Sequence, residues 1–430
     1  MSNGPKNPVG DTSWFVRDRF GLFIHWGIYA LPARHEWVKS QEKIRDEDYQ
    51  KYFDHFCPDL YDPRVWAQEA KNAGMKYFVV TSKHHDGFCL WDSALTDYKA
   101  TKTPWGKDLL HPMTEAFRAE GLKVGFYHSL IDWHHPEFPV DGLHPMRDDE
   151  AFREAQKNRD IRKYAEYLHG QARELLTQFG KLDIMWFDYS YSDRDWGWAK
   201  GKGKADWQSE KLLTMVRDLQ PGIIVNDRLE IGGDIKTPEQ YQPKSGLTVD
   251  GKPVVWEACQ TLSGSWGYHR DESSWKSTEM LIRMLIDTVS KDGNLLLNVG
   301  PNARGEMDSR ALERLRGMGA WMRLHSRSIY GCGASDFTPP PDCRFTQNGN
   351  RLYLHLFAWP FKHVHLEGLA GQVEYAQLLN DASEVKTSVV DPHQQAQNTT
   401  MGGQAGTLTL ELPILKPAVA VPVIELFLKA

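Results

Sequence analysis

Seven short apolar runs, spaced along the first 300 residues, constrain the fold of this chain more than any other feature of its sequence. Each run is nearly continuous in large aliphatic and aromatic residues, as expected of strands buried on both faces of a parallel sheet. The runs cover residues 20–27, 76–83, 123–129, 181–190, 222–227, 253–258 and 293–300.

Helical patterns separate these runs. The first begins with Asp62 as a natural N-cap, has Pro63 at its first helical position and ends before Gly74. Strands that alternate with helices predict an α/β fold, a (β/α) TIM-like barrel of regular or irregular form. A doubly wound open sheet is the alternative, but no glycine-rich phosphate turn supports it. Further helical patterns cover residues 150–178, 277–291 and 309–325.

The pattern changes after the proline-rich stretch "FTPPPD" at 337–342. Apolar and polar residues then alternate with a period of two, which predicts a small C-terminal antiparallel β-sandwich. We therefore expect a catalytic barrel over 1–336 and a sandwich over 343–430. The alternating segments are 351–359, 407–412 and 424–429, and a turn is predicted at 398–406.

Composition argues against some classes of binding partner. The 430 residues carry a formal net charge of −6 with both signs mixed, and no basic block predicts binding to nucleic acid or to an anionic membrane. No run of 18 apolar residues predicts a membrane span. The N-terminus lacks the apolar segment of a secretory signal, so we expect a cytoplasmic protein.

In a barrel of this type the reactive groups come from the carboxyl-terminal ends of the strands. Polar or aromatic side chains follow every predicted strand, which is more than chance explains. They are His25 and Trp26; His84, His85 and Asp86; Tyr127 and His128; Trp186 and Asp188; Asn226, Asp227 and Arg228; Trp256 and Glu257; and Asn298.

Asp188 is the most informative of these residues. It follows four large apolar residues, "IMWF", so its carboxylate should enter a walled and partly dry space. It is either a structural aspartate paired with an arginine or a carboxylate nucleophile. Two carboxylates at different strand ends, with many aromatic residues and histidines, indicate glycoside hydrolysis, which needs one carboxylate as nucleophile or base and one carboxylic acid as proton donor.

Two other chemistries fit less well. His25, His84, His85 and Asp188 contain metal-ligand atoms, but adjacent residues of an extended segment point in opposite directions, so His84 and His85 cannot easily share one ion. No HExxH or CxxC motif occurs, and we expect no metal. No G-x-S-x-G motif marks an activated serine.

Seven ordered blocks of the sequence resemble the α-L-fucosidases of glycoside hydrolase family 29. The resemblance covers roughly residues 14–335, and the β-rich tail looks like the C-terminal sandwich of that family. It implies hydrolysis of terminal α-L-fucose with retention of configuration, without a cofactor, and a fucosylated oligosaccharide or glycan as partner. The blocks are "RFGLFIHWGIYALPARHEWV", "KYFVVTSKHHDGFCLWDS", "GFYHSLIDWHH", "MWFDYS", "VNDR", "WEACQTLSGSWGYHRDE" and "SKDGNLLLNVGPNARGEM".

The resemblance also implies roles for individual residues. Asp188 matches the nucleophile. Glu239 lies in a segment, 232–241, that resembles the one carrying the acid/base in some members; Glu257 is the alternative and Asp234 a more distant one. The implied fucose-binding residues are His25, Glu36, Trp37, His84, His85, Tyr127, His128, Trp186, Arg228 and Trp266.

Some alternatives stay open at this point. The scaffold could belong to a non-catalytic fucose-binding protein or to a retaining glycosidase that acts on a related sugar. The loop 190–208 offers Trp196 and Trp198 as contacts to the group beyond the fucose, although an ordinary surface loop explains them equally well. The β-rich tail could support self-association into a homo-oligomer.

Overall fold

The computed structural model of the protein describes residues 10–389 and 406–429. Most of the turn predicted at 398–406 lies outside these residues. Within them, no helix combines the length and the apolarity that crossing a bilayer would require.

The N-terminal part of the chain is built on parallel strands that are buried along nearly their whole length. Most of them begin and end within a few residues of the predicted apolar runs. They are β1 (Phe20–Ile24), β2 (Tyr77–Lys83), β3 (Lys123–Ser129), β4 (Ile184–Asp188), β5 (Ile224–Val225), β8 (Glu257–Thr261) and β9 (Asn294–Val299), with a short antiparallel hairpin of β6 (Thr248–Val249) and β7 (Lys252–Pro253) inserted before β8.

The seven parallel strands form one sheet in the order β5-β4-β3-β2-β1-β9-β8. The extended segment 235–239 lies between its two edges. Ile235 forms a parallel bridge with Asn226, just after β5, and Glu239 forms one with Cys259 of β8. The seven strands and this segment therefore close a barrel of eight extended segments. The predicted irregular TIM-like barrel is confirmed.

Asp234 fixes the start of this closing segment. Its Oδ1 accepts a hydrogen bond from the amide of Gly10 at 2.8 Å, and its Oδ2 accepts one from the amide of Val225 at 2.7 Å. Oδ2 also forms an ion pair with Arg217, and both side chains are almost fully buried. Asp234 is thus part of the barrel wall and not of the solvent-accessible end where an acid would act.

Helices cover the outside of the barrel, and the N-cap expected at Asp62 is present. The side chain of Asp62 accepts a hydrogen bond from the amide of Arg64 at the start of α4. The helices are α1 (Ser13–Asp18), α2 (Val38–Gln41), α3 (Asp46–Asp54), α4 (Pro63–Asn72), α5 (Leu110–Ala119), α6 (Glu150–Ala155), α7 (Ile161–Gln178), α8 (Ser209–Leu219), α9 (Thr278–Val289) and α10 (Ser309–His325), with 3-10 turns at Ile28–Ala30, Ala100–Lys102, Asp227–Leu229 and Ser326–Ser328.

The C-terminal part forms two antiparallel sheets around a second apolar core. The sheet orders are β10-β11-β16-β13 and β12-β15-β14. The indole N–H of Trp321 on α10 donates to the carbonyl of Val421 at 2.8 Å, which ties this sandwich to the barrel. The strands are β10 (Cys343–Asn348), β11 (Arg351–Leu356), β12 (His363–Leu366), β13 (Val373–Leu378), β14 (Lys386–Val389), β15 (Leu408–Glu411) and β16 (Val423–Leu428).

One strand boundary was predicted wrongly. The apolar run 253–258 suggested a strand that ends near Glu257, but β8 begins at Glu257 and continues to Thr261. The hairpin of β6 and β7 takes up the first residue of that run. Glu257 therefore lies at the amino-terminal end of its strand, opposite the end that carries reactive groups.

The anchoring of Asp234 leads to a prediction about stability. We expect Asp234→Ala to lower the free energy of unfolding by about 3–5 kcal/mol, because the buried Arg217 guanidinium loses its partner. Urea denaturation would measure the loss. Asp218→Ala is the control, since Asp218 is exposed on neighbouring α8, and a change within about 0.5 kcal/mol is expected there. Equal losses in both variants would contradict the assigned role.

Candidate active site

A cavity opens at the carboxyl-terminal end of the barrel. Nine of the residues predicted from the sequence line it, so strands that are far apart along the chain bring their final side chains together. The lining residues are Phe23, His25, Trp37, His84, His85, Tyr127, Trp186, Asp188, Tyr189, Glu239, Cys259 and Trp266.

Asp188, the last residue of β4, lies at the base of this cavity. The hydroxyl of Tyr127 donates to its Oδ2 at 2.7 Å, and Nη1 of Arg228 donates to its Oδ1 at 3.2 Å. Burial raises the pKa of Asp188 to about 6; the Arg228 charge opposes this rise, and the charge of Glu239 adds to it. The carboxylate is thus buried but directly stabilised by two donors.

Arg228 connects Asp188 to the second carboxylate. Its Nη2 donates to Oε2 of Glu239 at 2.9 Å, while its Nε donates to Oγ1 of Thr237 at 3.0 Å. The guanidinium also lies over the ring of Trp186, 5.1 Å from the ring centroid. One planar cation therefore holds the two carboxylates side by side on its two terminal nitrogens.

The two carboxylates differ in their access to solvent. The side chain of Asp188 is 12% exposed and that of Glu239 is 41% exposed. This difference follows from the fold, because Asp188 ends an interior strand whereas Glu239 ends the closing segment at the barrel rim. Glu239 can therefore contact a group that arrives from solvent, whereas Asp188 can contact only a ligand that has entered the cavity.

The hydrogen bonds of His25 fix its tautomer. The amide nitrogen of Asn298 donates to the carbonyl of Trp266 at 2.6 Å, so the amide oxygen is the atom that faces Nδ1 of His25 at 2.7 Å. An amide oxygen can only accept, and Nδ1 of His25 must carry the proton. Its Nε2 is left as an acceptor.

His85 is held in the same way. The single hydroxyl proton of Ser129 is donated to the carbonyl of Ile131 at 2.7 Å, so Ser129 Oγ accepts from Nδ1 of His85 at 2.6 Å. Nε2 of His85 is then an acceptor that lies 3.9 Å from Oδ2 of Asp188. Neither of these two atoms carries a proton, so a donor from a ligand can bind between them.

Burial keeps these imidazoles neutral. It lowers the pKa of His25 to about 3, and it lowers the pKa of His84 and of His85 well below the ordinary histidine value. Near neutral pH the cavity therefore presents uncharged rings with lone pairs, which suit the hydroxyl groups of a neutral polar ligand.

Trp266 forms an apolar wall opposite these polar groups. Its ring lies 5.1 Å from that of His25 and 5.8 Å from that of Phe23. Glu36, predicted as a substrate-binding residue, is buried, and its Oε2 accepts a hydrogen bond from the amide of Gly267 at 2.8 Å. Glu36 therefore holds the loop that carries Trp266.

His128 does not line the cavity, although it was predicted as a substrate-binding residue. It follows Tyr127 on β3, and successive side chains of a strand point to opposite faces. Tyr127 faces the barrel interior, so His128 faces the helices, with Nδ1 3.1 Å from Oγ of Ser82 and its ring 5.9 Å from that of Trp91.

Glu257, the alternative acid/base, lies below the cavity and is fully buried. The hydroxyl of Tyr77, at the start of β2, donates to its Oε2 at 2.5 Å. Burial raises the pKa of Glu257 to about 7, and the hydrogen bond from Tyr77 opposes this rise. The structure thus separates Glu257 from the solvent-accessible mouth.

Three lining residues were missed. Tyr189 directly follows Asp188 with a φ of 80°, and its ring lies 5.1 Å from those of His85 and Trp37. Phe23 precedes His25 by two positions, so strand alternation could have placed it on the same face. Cys259 could not be found in this way, because its strand was assigned to the wrong residues.

The described parts of the chain contain no group of three or more histidine, cysteine, aspartate or glutamate residues arranged to hold a metal ion. Two of the cavity histidines, His25 and His85, donate their Nδ1 protons to Asn298 and Ser129. Two carboxylates beside uncharged hydrogen-bonding groups and aromatic rings are the elements of a glycoside hydrolase site.

Comparison with known proteins agrees with this class. A family model described as alpha-L-fucosidase matches residues 6–327. The plasma alpha-L-fucosidase of Rattus norvegicus is 29% identical over 439 residues, covering 94% of this chain and 87% of that protein. The tissue alpha-L-fucosidase of Homo sapiens is 28% identical, covering 81% of this chain and 76% of that protein.

Solved structures show the same relationship. Alpha-L-fucosidase isoenzyme 1 from Paenibacillus thiaminolyticus is 46% identical, with a TM-score of 0.90 over 97% of this chain and 99% of that one. A family 29 alpha-L-fucosidase from Bacteroides thetaiotaomicron is 26% identical, with a TM-score of 0.83 over 99% and 98% of the two chains.

The fold and the site therefore define a (β/α)-barrel glycoside hydrolase. Within that class, the chain belongs to the α-L-fucosidase family, and the resemblance inferred from its seven sequence blocks is confirmed.

Proposed function

We propose that this protein is a retaining exo-α-L-fucosidase that removes terminal α-L-fucose from oligosaccharides or glycoconjugates, with Asp188 as nucleophile and Glu239 as acid/base. The observation that carries the proposal is the contact of one guanidinium, that of Arg228, with both carboxylates. Retaining glycosidases need two closely spaced carboxyl groups, whereas inverting enzymes leave room for a water molecule between them.

In the first step Asp188 attacks the anomeric carbon of the fucosyl unit. Protonated Glu239 donates its proton to the glycosidic oxygen, the bond to the leaving group breaks, and a fucosyl ester forms on Asp188. In the second step Glu239 removes a proton from water, which attacks the anomeric carbon and releases fucose. The exposure of Glu239 supports this role, because leaving group and water both arrive from the mouth of the cavity.

The remaining cavity residues support recognition of the sugar. Nε2 of His25 and Nε2 of His85 are acceptors for sugar hydroxyls, and each is oriented by a hydrogen bond at Nδ1. The wall formed by Trp266 suits the C6 methyl group of fucose, which has no hydroxyl to hydrogen-bond. These features favour fucose over a sugar with a polar C6 group.

Structures of relatives support the covalent step. The Bacteroides thetaiotaomicron fucosidase has been trapped as a covalent intermediate with 2-fluoro-fucosyl fluoride. The Thermotoga maritima α-fucosidase, 27% identical to this chain, has been solved with a mechanism-based inhibitor. A fucosyl ester on Asp188 is the corresponding species in this proposal.

The first prediction concerns the substrate and the nucleophile. Across a panel of 4-nitrophenyl glycosides we expect wild type to cleave the α-L-fucoside and Asp188→Ala to lose at least about 10³-fold in kcat, because the variant lacks the carboxylate on which the proposed ester forms. Release of 4-nitrophenol measures both. Cleavage of a galactoside at a similar rate would indicate a related glycosidase, and an inactive wild type would indicate a binding protein.

The second prediction separates the two candidate acids. We expect Glu239→Gln to reduce hydrolysis of natural fucosides, whose leaving groups need protonation, by about 10²–10⁴-fold, and hydrolysis of 2,4-dinitrophenyl α-L-fucoside far less. Glu257→Gln is the matched control, because it removes the carboxylate of the rival. If the loss of activity depended on the leaving group in Glu257→Gln and not in Glu239→Gln, Glu257 would be the acid/base instead of Glu239.

The third prediction concerns pH. Since Asp188 must be ionised and its pKa is about 6, kcat/KM should fall as the pH drops below that value. Tyr127→Phe removes a donor that stabilises the ionised form, so the acid limb should move to higher pH by roughly 1 unit. Tyr189→Phe, which removes a nearby hydroxyl not bonded to Asp188, should leave the limb in place. A shift of the limb to lower pH in Tyr127→Phe would contradict the assignment.

A further inference from the structure

A second groove, distinct from the active-site cavity, is not used by the proposed mechanism. One wall is formed by residues of the segment 139–157, which follows β3, and the other by Trp198 of the loop 190–202, which follows β4. Both walls therefore lie at the carboxyl-terminal end of the barrel, where Asp188 also lies. Trp198, in the loop, contributes an indole that is 45% exposed to solvent.

The two walls of this groove are fastened to each other. Asp141 of the first wall forms an ion pair with Lys202 of the second, and both side chains are buried. The hydroxyl of Tyr191 donates to the same carboxylate at 2.7 Å. Trp196 lies so close to Gly142 that a Cβ at that glycine would be 2.2 Å from its ring. The groove is thus a built part of the fold.

The position of Trp198 is also fixed. The guanidinium carbon of Arg153, on α6, lies 4.3 Å from the centroid of the indole ring. The Nε of Arg153 is buried without a hydrogen-bond partner. A large aromatic side chain therefore contacts Arg153 while a substantial part of its surface stays open, although tryptophan is highly buried on average.

Aromatic contacts connect the loop that carries Trp198 with the cavity. The ring of Trp37, which lines the cavity, lies 5.1 Å from that of Tyr189; Tyr189 lies 5.6 Å from Tyr191; and Tyr191 lies 6.2 Å from Trp196. The loop that carries Trp198 is thus packed, ring against ring, onto the wall of the fucose site.

The charges of the groove indicate the kind of ligand. Glu150 and Glu154 are balanced by Arg153 and Lys157, so the groove attracts neither a polyanion nor a polycation. A neutral ligand with many hydroxyl groups can use these side chains as donors and acceptors, and its ring faces can pack on the indole. Those are the properties of an uncharged oligosaccharide.

We infer that this groove binds the glycan chain of the substrate beyond its terminal fucose, with Trp198 as the platform for a sugar ring. The inference rests on the proposed function and extends it, since it makes the enzyme prefer long fucosylated oligosaccharides over short ones. Trp198 is a residue that determines specificity and takes no part in the chemical steps.

Substrates of different length test this inference. We expect Trp198→Ala to hydrolyse 4-nitrophenyl α-L-fucoside as wild type does, and to lose roughly tenfold in kcat/KM, through KM, on a fucosyl-terminated heptasaccharide. Trp198→Phe should retain most of the activity on the heptasaccharide. Phe361→Ala, which removes a more exposed aromatic ring from the sandwich, is the control and should change neither substrate.

A binding experiment keeps this test independent of catalysis. The hexasaccharide that remains after removal of fucose is titrated into wild type and Trp198→Ala by calorimetry, and weaker binding to the variant is expected. Equal binding, or an unchanged kcat/KM on the heptasaccharide, would overturn the inference. If wild type cleaved no fucoside yet bound the hexasaccharide through Trp198, the proposed function would be wrong, but the inference that the groove binds a glycan would be supported.

Discussion

The active site depends on how the barrel is closed. The segment 235–239 fills the space between β5 and β8, and it is held at its start by the buried pairing of Asp234 with Arg217. Because the segment is extended, its last residue, Glu239, reaches the rim. Along the way Thr237 accepts from Nε of Arg228 and orients the guanidinium toward both carboxylates. A fault in closure would therefore separate Asp188 and Glu239, the two groups on which the proposed chemistry depends.

A single arginine between two carboxylates also answers an electrostatic problem. Two negative charges placed close together in a partly dry cavity would repel, and burial alone already favours the neutral form of Asp188. Arg228 compensates for both effects while leaving the carboxylates on separate nitrogens. The substrate of the proposed function is an uncharged sugar that brings no counter-ion of its own, so Arg228 has to provide the cation that keeps Asp188 ionised.

The sequence was sufficient for the strands whose apolar runs are continuous, and hence for most of the cavity residues at their ends. It was insufficient in three places for physical reasons. The closing segment 235–239 has the sequence "IKTPE" and no apolar run. It is held by a few backbone bridges and by the hydrogen bonds and ion pair of Asp234, so it does not need one. The run 253–258 is apolar, but its first residue belongs to the hairpin and β8 begins only at Glu257. His128 was misplaced because the inward face of β3 is decided by closure of the barrel.

The hydrogen bonds behind the cavity explain why so many of its polar groups are histidines. An imidazole has two nitrogens with opposite roles, so a hydrogen bond to Nδ1 in the wall determines what Nε2 offers to the ligand. Asn298 and Ser129 place the proton of His25 and of His85 on Nδ1. Burial lowers the pKa of both rings, so Nε2 stays unprotonated. A lysine or arginine could not accept from a sugar hydroxyl, and a further carboxylate would repel Asp188. Neutral histidine accepts hydrogen bonds here without adding charge beside Asp188.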